Sequence, residues 1–358
     1  MNNKAVIAMS GGVDSSVAAY LMKQRGFDCI GVTMKLFANE DIGISREHSC
    51  CSLDDVEDAR SVAYSLDMPY YVFNFSDRFE TDVIDRFIHA YENGITPNPC
   101  IDCNRYLKFD KLYMRAKELD RDYVVTGHYA RVEKDENGRF LLKKALDDTK
   151  DQSYVLYCLT QEQLSHTIFP LGEMRKSQAR EIAESQGFIN ARKADSQDIC
   201  FVQNGSYADF IEQYTGKNYP DGDFLDTNGN VIGRHKGVIR YTVGQRKGLG
   251  ISAPEPLYVK AVNPVSNTVT LSYNDGLYSS VVKAGDINLI SVPEIKGEMR
   301  VKAKVRYRHT EQWATVTQNG ETLTAVFDEP QRAVTCGQAL VLYDGDTVVG
   351  GGTIIEVE

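Results

Sequence analysis

The feature that most constrains the fold is a glycine-containing turn that directly follows a short apolar run. The run, Ala5-Val6-Ile7-Ala8-Met9, has the length of a buried strand, and residues 13–23 have the spacing of a helix whose inner face carries Val17, Ala18, Leu21 and Met22. The turn between them reads Ser10-Gly11-Gly12-Val13-Asp14-Ser15-Ser16. Two glycines permit a sharp turn close to a ligand, and the first amides of a helix have no intrahelical acceptor. The turn therefore predicts an anion site, with Ser10, Ser15 and Ser16 as further donors.

Two observations narrow this prediction. The turn lacks the Gly-Lys-Ser/Thr ending of a Walker loop, which argues against that class of nucleotide hydrolase. A plain glycine turn between a strand and a helix is the alternative, but it does not explain one aspartate and three serines in the same turn. We therefore favour a phosphate site.

Composition limits the class of protein further. The chain has 358 residues, a formal net charge of −10 and 42% apolar residues, which suits a globular protein of two or three domains. No apolar run approaches the roughly 20 residues of a membrane span, and no signal-peptide pattern precedes the first strand, so we expect a cytoplasmic protein without a membrane partner. The negative charge argues against a protein that coats DNA or RNA. Residues 231–248 and 296–308 are nevertheless basic, as an RNA-contacting surface or a solvated strand face would be.

Strand-like and helical segments alternate over about the first 130 residues. Strands are predicted at 29–33, 70–75 and 123–127, and helices at 53–66, 79–91 and 105–119. This alternation predicts an α/β domain with a parallel sheet, in which ligands bind beyond the carboxyl ends of the strands. The turn at 10–16, Met34 and Gly127-His128 all follow predicted strands, so we expect them to meet in one pocket.

Beyond about residue 205, turn signals and short alternating strands replace this pattern. Strands are expected at 303–307, 313–317, 322–327 and 339–342, separated by turns such as Asn319-Gly320 and Asp344-Gly345. Such a pattern is typical of small barrels. We predict three domains: a catalytic α/β domain (1–204), a small central domain (205–275), whose basic residues at 231–248 allow contact with a polyanion such as RNA, and a C-terminal β-barrel (276–358).

Eight cysteines without a secretory signal indicate thiol or metal chemistry rather than a disulfide framework. Cys100 and Cys103 precede the predicted helix at 105–119, and a place near a helix N-terminus is expected to lower the pKa of the Cys103 thiol. Cys200 follows a polar turn. A structural zinc site is disfavoured because the sequence has no second Cys-x-x-Cys or paired histidines. Cys50-Cys51 is expected to be a packing feature, with a redox pair as the alternative.

A set of motifs in chain order resembles the bacterial tRNA-specific 2-thiouridylases, which are pyrophosphate-loop enzymes. They are Ser10-Gly11-Gly12-Val13-Asp14-Ser15, Asn98-Pro99-x-x-x-Cys103-Asn104, Thr126-Gly127-His128-Tyr129-Ala130, Lys150-Asp151-Gln152-Ser153-Tyr154, Asp198-Ile199-Cys200-Phe201, Thr242-Val243-Gly244-Gln245-Arg246-Lys247-Gly248, Arg306-Tyr307-Arg308 and Gly337-Gln338-Ala339. The resemblance covers essentially the whole chain. It implies an adenine-nucleotide α-hydrolase-like (pyrophosphate-loop) domain, a small middle domain and a β-barrel. The implied activity is ATP-dependent replacement of O2 of a wobble uridine in tRNA by sulfur.

The resemblance also implies residue roles. ATP, with Mg²⁺, would contact Ala8, Met9, Ser10, Gly11, Gly12, Val13, Asp14, Ser15, Met34 and Gly127. Cys200 would receive persulfide sulfur from a donor protein, and Cys103 would release it, leaving a Cys103–Cys200 disulfide. The tRNA would contact Asn98, Pro99, Cys100, His128, Lys150, Asp151, Gln152, Tyr307, Arg308 and Gln338.

One departure from the family pattern leaves an alternative open. Many members have aspartate where this chain has Cys100, so the carboxylate acid or base expected there is missing. No metal ligand is otherwise assigned, but Cys100, Cys103 and Cys200 are candidate ligands of a [4Fe–4S] cluster. We favour the persulfide relay. Two further alternatives are an adenylating ligase, which would not need Cys103 or Cys200, and a non-enzymatic tRNA-binding or sulfur-carrier protein.

Overall fold

The computed structural model describes residues 2–37, 53–195, 199–202 and 205–358. The chain forms two compact units. The first comprises Met1–Val83, Pro99–Asn204 and Gly345–Val349, and the second Ile84–Asn98, Gly205–Asp344 and Gly350–Glu358. Cys50 and Cys51 lie outside the described residues. Within the described ranges, no helix is long and apolar enough to cross a membrane.

A five-stranded sheet in the order β3-β2-β1-β4-β7 forms the centre of the first unit, with strands numbered in chain order. The strands are β1 (Lys4–Ala8), β2 (Asp28–Lys35), β3 (Tyr70–Asn74), β4 (Tyr123–Val125) and β7 (Thr167–Ile168). All neighbouring pairs are parallel, with Ala8 opposite Val32 and Ile7 opposite Val125. The segments that follow β1, β2 and β4 therefore leave the sheet at the same edge.

Helices surround this sheet. They are α1 (Val13–Gln24), α2 (Leu53–Ser65), α3 (Ser76–Phe79), α5 (Pro99–Asp102), α6 (Leu112–Glu118), α7 (Ser153–Leu156), α8 (Gln161–Ser165) and α9 (Lys176–Ser185), with π-helical turns at Glu80–Ile84 and Cys103–Lys111. Val17, Ala18 and Met22 of α1 are fully buried in one apolar cluster with Ile7 of β1. Burial of one helical stripe against a parallel sheet confirms the predicted α/β domain.

A β-hairpin follows β4 and was not predicted from the sequence. Its strands are β5 (Ala130–Lys134) and β6 (Phe140–Lys144), and Lys143 of β6 pairs with Thr347. The ion pair between Arg131 Nη2 and Asp346 Oδ2, at 2.6 Å, joins the same two segments. The hairpin depends on residues about two hundred positions away, which no local pattern reveals.

The second unit contains two helices, a mixed sheet and a closed barrel. The helices are α4 (Asp85–Glu92) and α10 (Tyr207–Thr215). The sheet contains four strands, β8 (Gly222–Leu225), β9 (Val231–His235), β10 (Tyr258–Asn263) and β11 (Thr268–Ser272). Their order in the sheet is β10-β11-β8-β9. Helix α10 was not predicted, although Ser206 caps its first turn with a capping box and Gly216 ends it with φ of 66°.

The barrel confirms the prediction of small, alternating strands. It consists of β12 (Tyr278–Leu289), β13 (Met299–Lys304), β14 (Gln312–Asn319), β15 (Thr322–Arg332), β16 (Ala339–Asp344) and β17 (Thr347–Val357). The order is β12-β15-β14-β13-β16-β17, and pairing of β12 with β17 closes the ring. Val301, Ala314 and Leu323 are buried at alternating positions, as expected for the inner face of a barrel.

Candidate active site

The glycine loop, residues 10–16, joins β1 to α1. Gly11 has φ of +75°, and a Cβ atom there would lie 2.4 Å from the carbonyl oxygen of Asp55, so no larger residue fits. Gly12 is the extended N-cap residue of α1. The first amides of α1 therefore point out of the helix at the carboxyl edge of the sheet, which is the geometry of an anion site.

The serines of this loop have different positions. The hydroxyls of Ser15 and Ser16, both buried, donate to the Gly12 carbonyl at 3.0 and 3.1 Å. The Ser10 amide donates to Ser15 Oγ at 3.2 Å, whereas the Ser10 side chain is exposed. Ser15 and Ser16 thus shape the loop through their hydroxyls, contrary to the expectation that all three hydroxyls serve the anion. Ser10 supplies the outward-facing hydroxyl, and Ser15 offers its backbone amide.

Asp14 is held by a lysine and a tyrosine from elsewhere in the first unit. Lys176 Nζ lies 2.8 and 2.7 Å from the two Asp14 carboxylate oxygens, and the Tyr129 hydroxyl donates to Asp14 Oδ1 at 2.7 Å. Burial and the neighbouring Asp14 charge raise the pKa of Tyr129, so it remains a donor. The Lys176 side chain is only 11% exposed and is the first residue of α9. An ammonium group thus lies beside the glycine loop, where a phosphate would gain from it.

A second carboxylate extends this ionic network. Asp195 Oδ1 accepts from Lys176 Nζ at 2.8 Å and from Arg180 Nη2 at 2.9 Å, and Asp195 Oδ2 accepts from Lys150 Nζ at 2.8 Å. Lys176 and Arg180 lie on the same face of α9 because they are four residues apart. Although partial burial opposes ionisation, hydrogen bonds from Lys150 and Lys176 lower the pKa of Asp195 to about 2. Among the described residues of this network, three cations face two carboxylates, Asp14 and Asp195, which leaves an excess positive charge beside the glycine loop.

Two further residues support the back of the loop. Asn190, which is buried, donates from Nδ2 to the Gly11 carbonyl and to Ser16 Oγ, each at 2.9 Å. Lys193 Nζ lies 3.4 Å from the same carbonyl and 2.7 Å from Asp58 Oδ2. The sequence analysis missed Lys176, Tyr129, Asn190 and Lys193 as site residues. No local signal marks them, because contacts such as Lys176 with Asp14 span 162 positions.

The predicted convergence on the loop is visible at the ends of β1, β2 and β4. A Cβ atom on Gly127 would lie 2.7 Å from the Asp14 carbonyl carbon and 2.8 Å from the Ser15 nitrogen, so the segment after β4 contacts the loop backbone directly. Met9 donates its amide to the Val32 carbonyl at 2.8 Å. Met34 is the last residue but one of β2. Ala8, Met9, Val13, Met34 and Gly127 are thus placed at the same edge as the glycine loop.

His128 is enclosed by aromatic rings. Its ring centroid lies 5.9 Å from those of both Phe109 and Phe169, and a 2.7 Å hydrogen bond joins Nδ1 to Thr126 Oγ1. Burial, and secondarily the nearby Lys108, lowers the pKa of His128 well below 6.5. His128 is therefore neutral at pH 7, so a ligand at this position would meet a hydrogen-bonding ring and not a charge.

Cys103 lies inside a continuous helical segment rather than before it. Helical residues begin with α5 at Pro99 and continue through the π-helical turn to α6, so Cys103 is one turn past the start. The thiol is buried, and burial raises its pKa despite the opposing charge of Lys108. The expectation of a lowered pKa is wrong for this structure, because desolvation of the thiol outweighs the charge of the nearby Lys108.

Cys200 lies in a turn closed by a 2.9 Å hydrogen bond from the Val202 amide to the Ile199 carbonyl. The next residue, Phe201, is buried and packs edge-on against Phe79 with centroids 5.7 Å apart. This anchor fixes the turn while Cys200 itself stays half-exposed. Cys100 is exposed, and Cys100, Cys103 and Cys200 all lie within the first unit.

Two metal sites can be tested against these residues. Among the residues that the structure describes, which include Cys100, Cys103 and Cys200, no group of three or more Cys, His, Asp or Glu is placed to hold a metal ion. The three thiols therefore do not fit a [4Fe–4S] cluster. Asp14 is the carboxylate of the glycine loop, and its two oxygens are taken by Lys176 and Tyr129. The loop thus offers Mg²⁺ no free carboxylate, and we derive no step through either metal.

Besides Pro99, Cys100 and His128, the predicted RNA-contacting residues fall into two sets, of which the first follows the β5–β6 hairpin. Lys150 pairs with Asp195, as described above. Asp151 Oδ1 accepts from the amides of Ala145 and Ser153 at 3.1 and 3.2 Å, and Gln152 Oε1 accepts from the Tyr129 amide at 2.9 Å. The side chains of Asp151 and Gln152 thus hold the local backbone, and Lys150 carries the positive charge of this segment.

The second set belongs to the second unit. Gln338 Nε2 donates to the carbonyls of Thr96 and Pro97 at 2.9 and 3.1 Å, which fixes the segment leading to Asn98 on the barrel. Tyr307 and Arg308 are exposed in the turn between β13 and β14. The two units meet in the chain between Asn98 and Pro99, and Pro99 is buried at the start of α5.

The parallel sheet and its glycine loop, in a chain that also carries a closed β-barrel, define a pyrophosphate-loop protein of the adenine-nucleotide α-hydrolase-like class. Family models agree: one described as tRNA methyl transferase HUP domain matches residues 3–204, one described as tRNA methyl transferase PRC-barrel domain matches 208–273, and one described as aminomethyltransferase beta-barrel domain matches 279–354.

Curated relatives are more specific. The tRNA-specific 2-thiouridylase MnmA of Clostridioides difficile (strain 630) is 52% identical over 356 residues, which is 99% of this chain and 98% of the relative. That of Lachnoclostridium phytofermentans is 51% identical over 99% of both chains, and that of Clostridium perfringens (strain 13 / Type A) is 48% identical over 98% of both. The chain belongs to the tRNA-specific 2-thiouridylase family.

Proposed function

We propose that this protein is an ATP-dependent tRNA-uridine 2-sulfurtransferase of the cytoplasm, acting on a wobble uridine with sulfur from a persulfide-carrying donor protein. The observation that carries the proposal is a glycine loop with the geometry of an anion site and two cysteines, Cys103 and Cys200, in the same compact unit. The family membership supports the same activity. The ends of the three family matches support three domains, 1–204, 205–275 and 276–358.

The glycine loop would hold the phosphates of ATP. The free amides of α1 and the Ser10 hydroxyl face the triphosphate, and Lys176 gives up part of its contact with Asp14 to neutralise the α-phosphate as O2 of uridine attacks. The uridine O2–phosphorus bond forms, the bond to the β-phosphate oxygen breaks, and pyrophosphate leaves. Fixed donors of this kind stabilise charge that develops in the transition state.

The C2 oxygen of uridine is a poor leaving group, and adenylation allows it to leave as part of AMP. The terminal sulfur of a Cys200 persulfide then bonds to C2 and AMP leaves. Next, the Cys103 thiolate attacks the Cys200 sulfur. The bond from Cys200 to the transferred sulfur breaks, 2-thiouridine is released, and Cys103 and Cys200 are left as a disulfide. A thiol reductant must reduce that disulfide before the next cycle. The target base has to leave its stack to reach these groups.

The test measures both products of the reaction. Purified protein, ATP, Mg²⁺, a persulfide donor and an unmodified tRNA with a wobble uridine should yield pyrophosphate and 2-thiouridine. A tRNA with cytidine at the wobble position is the matched control and should yield neither. Pyrophosphate without sulfur incorporation, unaffected by a thiol-blocking reagent, would instead indicate an adenylating ligase. Binding of tRNA without pyrophosphate release would indicate a binding or carrier protein.

The proposed RNA contacts are Asn98, Pro99, Cys100, His128, Lys150, Asp151, Gln152, Tyr307, Arg308 and Gln338, and the charged ones give a salt-dependence prediction. Arg308→Ala and Lys150→Ala should each weaken tRNA binding. Each should also reduce the slope of the logarithm of affinity against the logarithm of salt concentration by about 0.7 to 0.9, because binding releases fewer counterions when one phosphate contact is missing. The control is Lys283→Ala, because Lys283 Nζ already pairs with Glu356 and Glu358 at 3.0 and 2.6 Å. Filter binding over a salt series measures the slopes. An unchanged slope in Arg308→Ala and Lys150→Ala would assign both to ordinary surface charge.

A further inference from the structure

Trp313, the single tryptophan of the chain, lies on the outer face of the barrel. It is 49% exposed on β14, and Lys302 of β13 stands directly opposite it in the antiparallel register. The Lys302 Nζ atom lies 5.4 Å from the indole centroid, and the Arg300 guanidinium carbon lies 5.1 Å from it. One exposed aromatic ring thus stands beside two cations from the same neighbouring strand.

The charges around this ring are not equivalent. Arg300 pairs through its guanidinium with Asp328 of β15, so its charge is largely balanced. Lys302 has no carboxylate within salt-bridge distance among the described residues, and the same holds for Arg306 and Arg308 in the turn that follows β13. This side of the barrel therefore combines a half-exposed indole ring with unbalanced positive charge.

A ring flanked by cations has the chemistry of a single-stranded RNA contact. An unpaired base stacks on an aromatic face, and a neighbouring lysine neutralises the adjoining phosphate. A protein partner is less favoured, because lysine is depleted in protein interfaces and Lys302 stands against this ring. A cation–π pair alone accounts for the ring geometry, but not for leaving Lys302 without a carboxylate.

We propose that Trp313 and Lys302 form an additional contact for the tRNA substrate, with the indole stacked on an unpaired base and Lys302 at a phosphate. This contact rests on the proposed function, since it requires tRNA as the partner. It extends the exposed turn with Tyr307 and Arg308 along the strands that the turn connects.

Intrinsic fluorescence tests the proposal directly, because all tryptophan emission comes from this site. Titration with an unmodified tRNA transcript should quench the emission and reduce its accessibility to acrylamide, in parallel with binding measured on filters. Saturation on filters with unchanged emission and unchanged acrylamide quenching would overturn the proposal while leaving the proposed function intact. Absence of any tRNA binding on filters would instead contradict both.

Variants separate stacking from charge. Trp313→Ala should weaken tRNA binding at least about fivefold, the lower end of what a stacked base contributes, and Trp313→Phe should lose less because it keeps a ring. Lys302→Ala should reduce the salt slope by about 0.7 to 0.9. The controls are Tyr278→Ala, which removes another exposed ring of the barrel, and Lys283→Ala. Equal effects of Trp313→Ala and Tyr278→Ala on tRNA binding would contradict the proposal. Tryptophan emission that changes with protein concentration in the absence of tRNA would also contradict it, because a second copy of the chain would then cover the ring.

Discussion

A Lys176→Met variant is expected to release pyrophosphate from ATP about 10²- to 10³-fold more slowly than the unmodified protein, the range typical for loss of one fixed group that stabilises transition-state charge. Lys176 places a buried ammonium group beside the glycine loop, where it forms ion pairs with Asp14 and Asp195. Binding of tRNA should persist, because the loop positions phosphates rather than RNA. Single-turnover pyrophosphate release at saturating tRNA, with tRNA affinity measured separately, checks both parts.

Asp14→Ala should also abolish pyrophosphate formation, but for a different reason. Without Asp14, Lys176 is drawn to Asp195 and away from the phosphates. Because breaking a buried pair can cost about 3 to 5 kcal/mol, thermal unfolding must be measured for both single variants and for the double variant. If the pair were only structural, the double variant would regain stability and activity together. We expect it to regain stability alone. Lys4→Met, which breaks the exposed pair with Asp120, is the control for loss of a lysine and should remain active.

The sequence could predict the glycine loop because its information is local. Gly11 turns with positive φ, Gly12 is the residue before the first turn of α1, and the apolar runs on either side fix both elements. The parallel sheet follows from the alternation of strands and helices, and it places Gly127 beside Asp14. Local patterns of this kind are enough to predict the strand, the turn and the helix of the glycine loop without any tertiary contact.

What the sequence could not predict depends on distant contacts. Lys176 is an ordinary helix-opening lysine until folding places it between Asp14 and Asp195. The pKa of Cys103 moved opposite to expectation, because the helix starts at Pro99 and the thiol is desolvated by neighbours from other segments. Helix α10 had clear capping residues at Ser206 and Gly216, so that omission was a misreading of local signals. The prediction of the site was limited by burial and ion pairs that depend on residues far apart in the sequence, and not by errors in secondary structure.

The second large effect concerns the sulfur step. Cys200→Ser and Cys103→Ser should each stop formation of 2-thiouridine, while pyrophosphate release survives in both, because adenylation uses the glycine loop and not the thiols. Cys100→Ser should be only partly impaired, since Cys100 carries no sulfur in the relay. Cys336→Ser, which replaces a half-buried thiol of the second unit, is the control and should be fully active. Mass spectrometry of digested tRNA measures thiolation, and a coupled assay measures pyrophosphate.

The pH dependence tests the role of Cys103 independently. Since burial raises the pKa of this thiol, it is protonated at pH 7, and the thiolate fraction rises about tenfold per pH unit below the pKa. Single-turnover sulfur transfer from a preloaded Cys200 persulfide should therefore accelerate with pH up to at least about 9, whereas adenylation should not follow the same curve. A pH-independent transfer rate would remove Cys103 as the attacking thiol.

The relay and the cluster differ most clearly at Cys100. A [4Fe–4S] cluster would require Cys100, Cys103 and Cys200 equally, and each serine variant would lose both iron and activity. The relay requires only two of them and no iron. The decisive measurement is therefore thiolation by Cys100→Ser with a persulfide donor in iron-free buffer. Substantial product is expected, because the described residues do not gather the three thiols into a metal-binding group. No product, together with activity of the unmodified protein that follows its iron content, would replace the relay with the cluster.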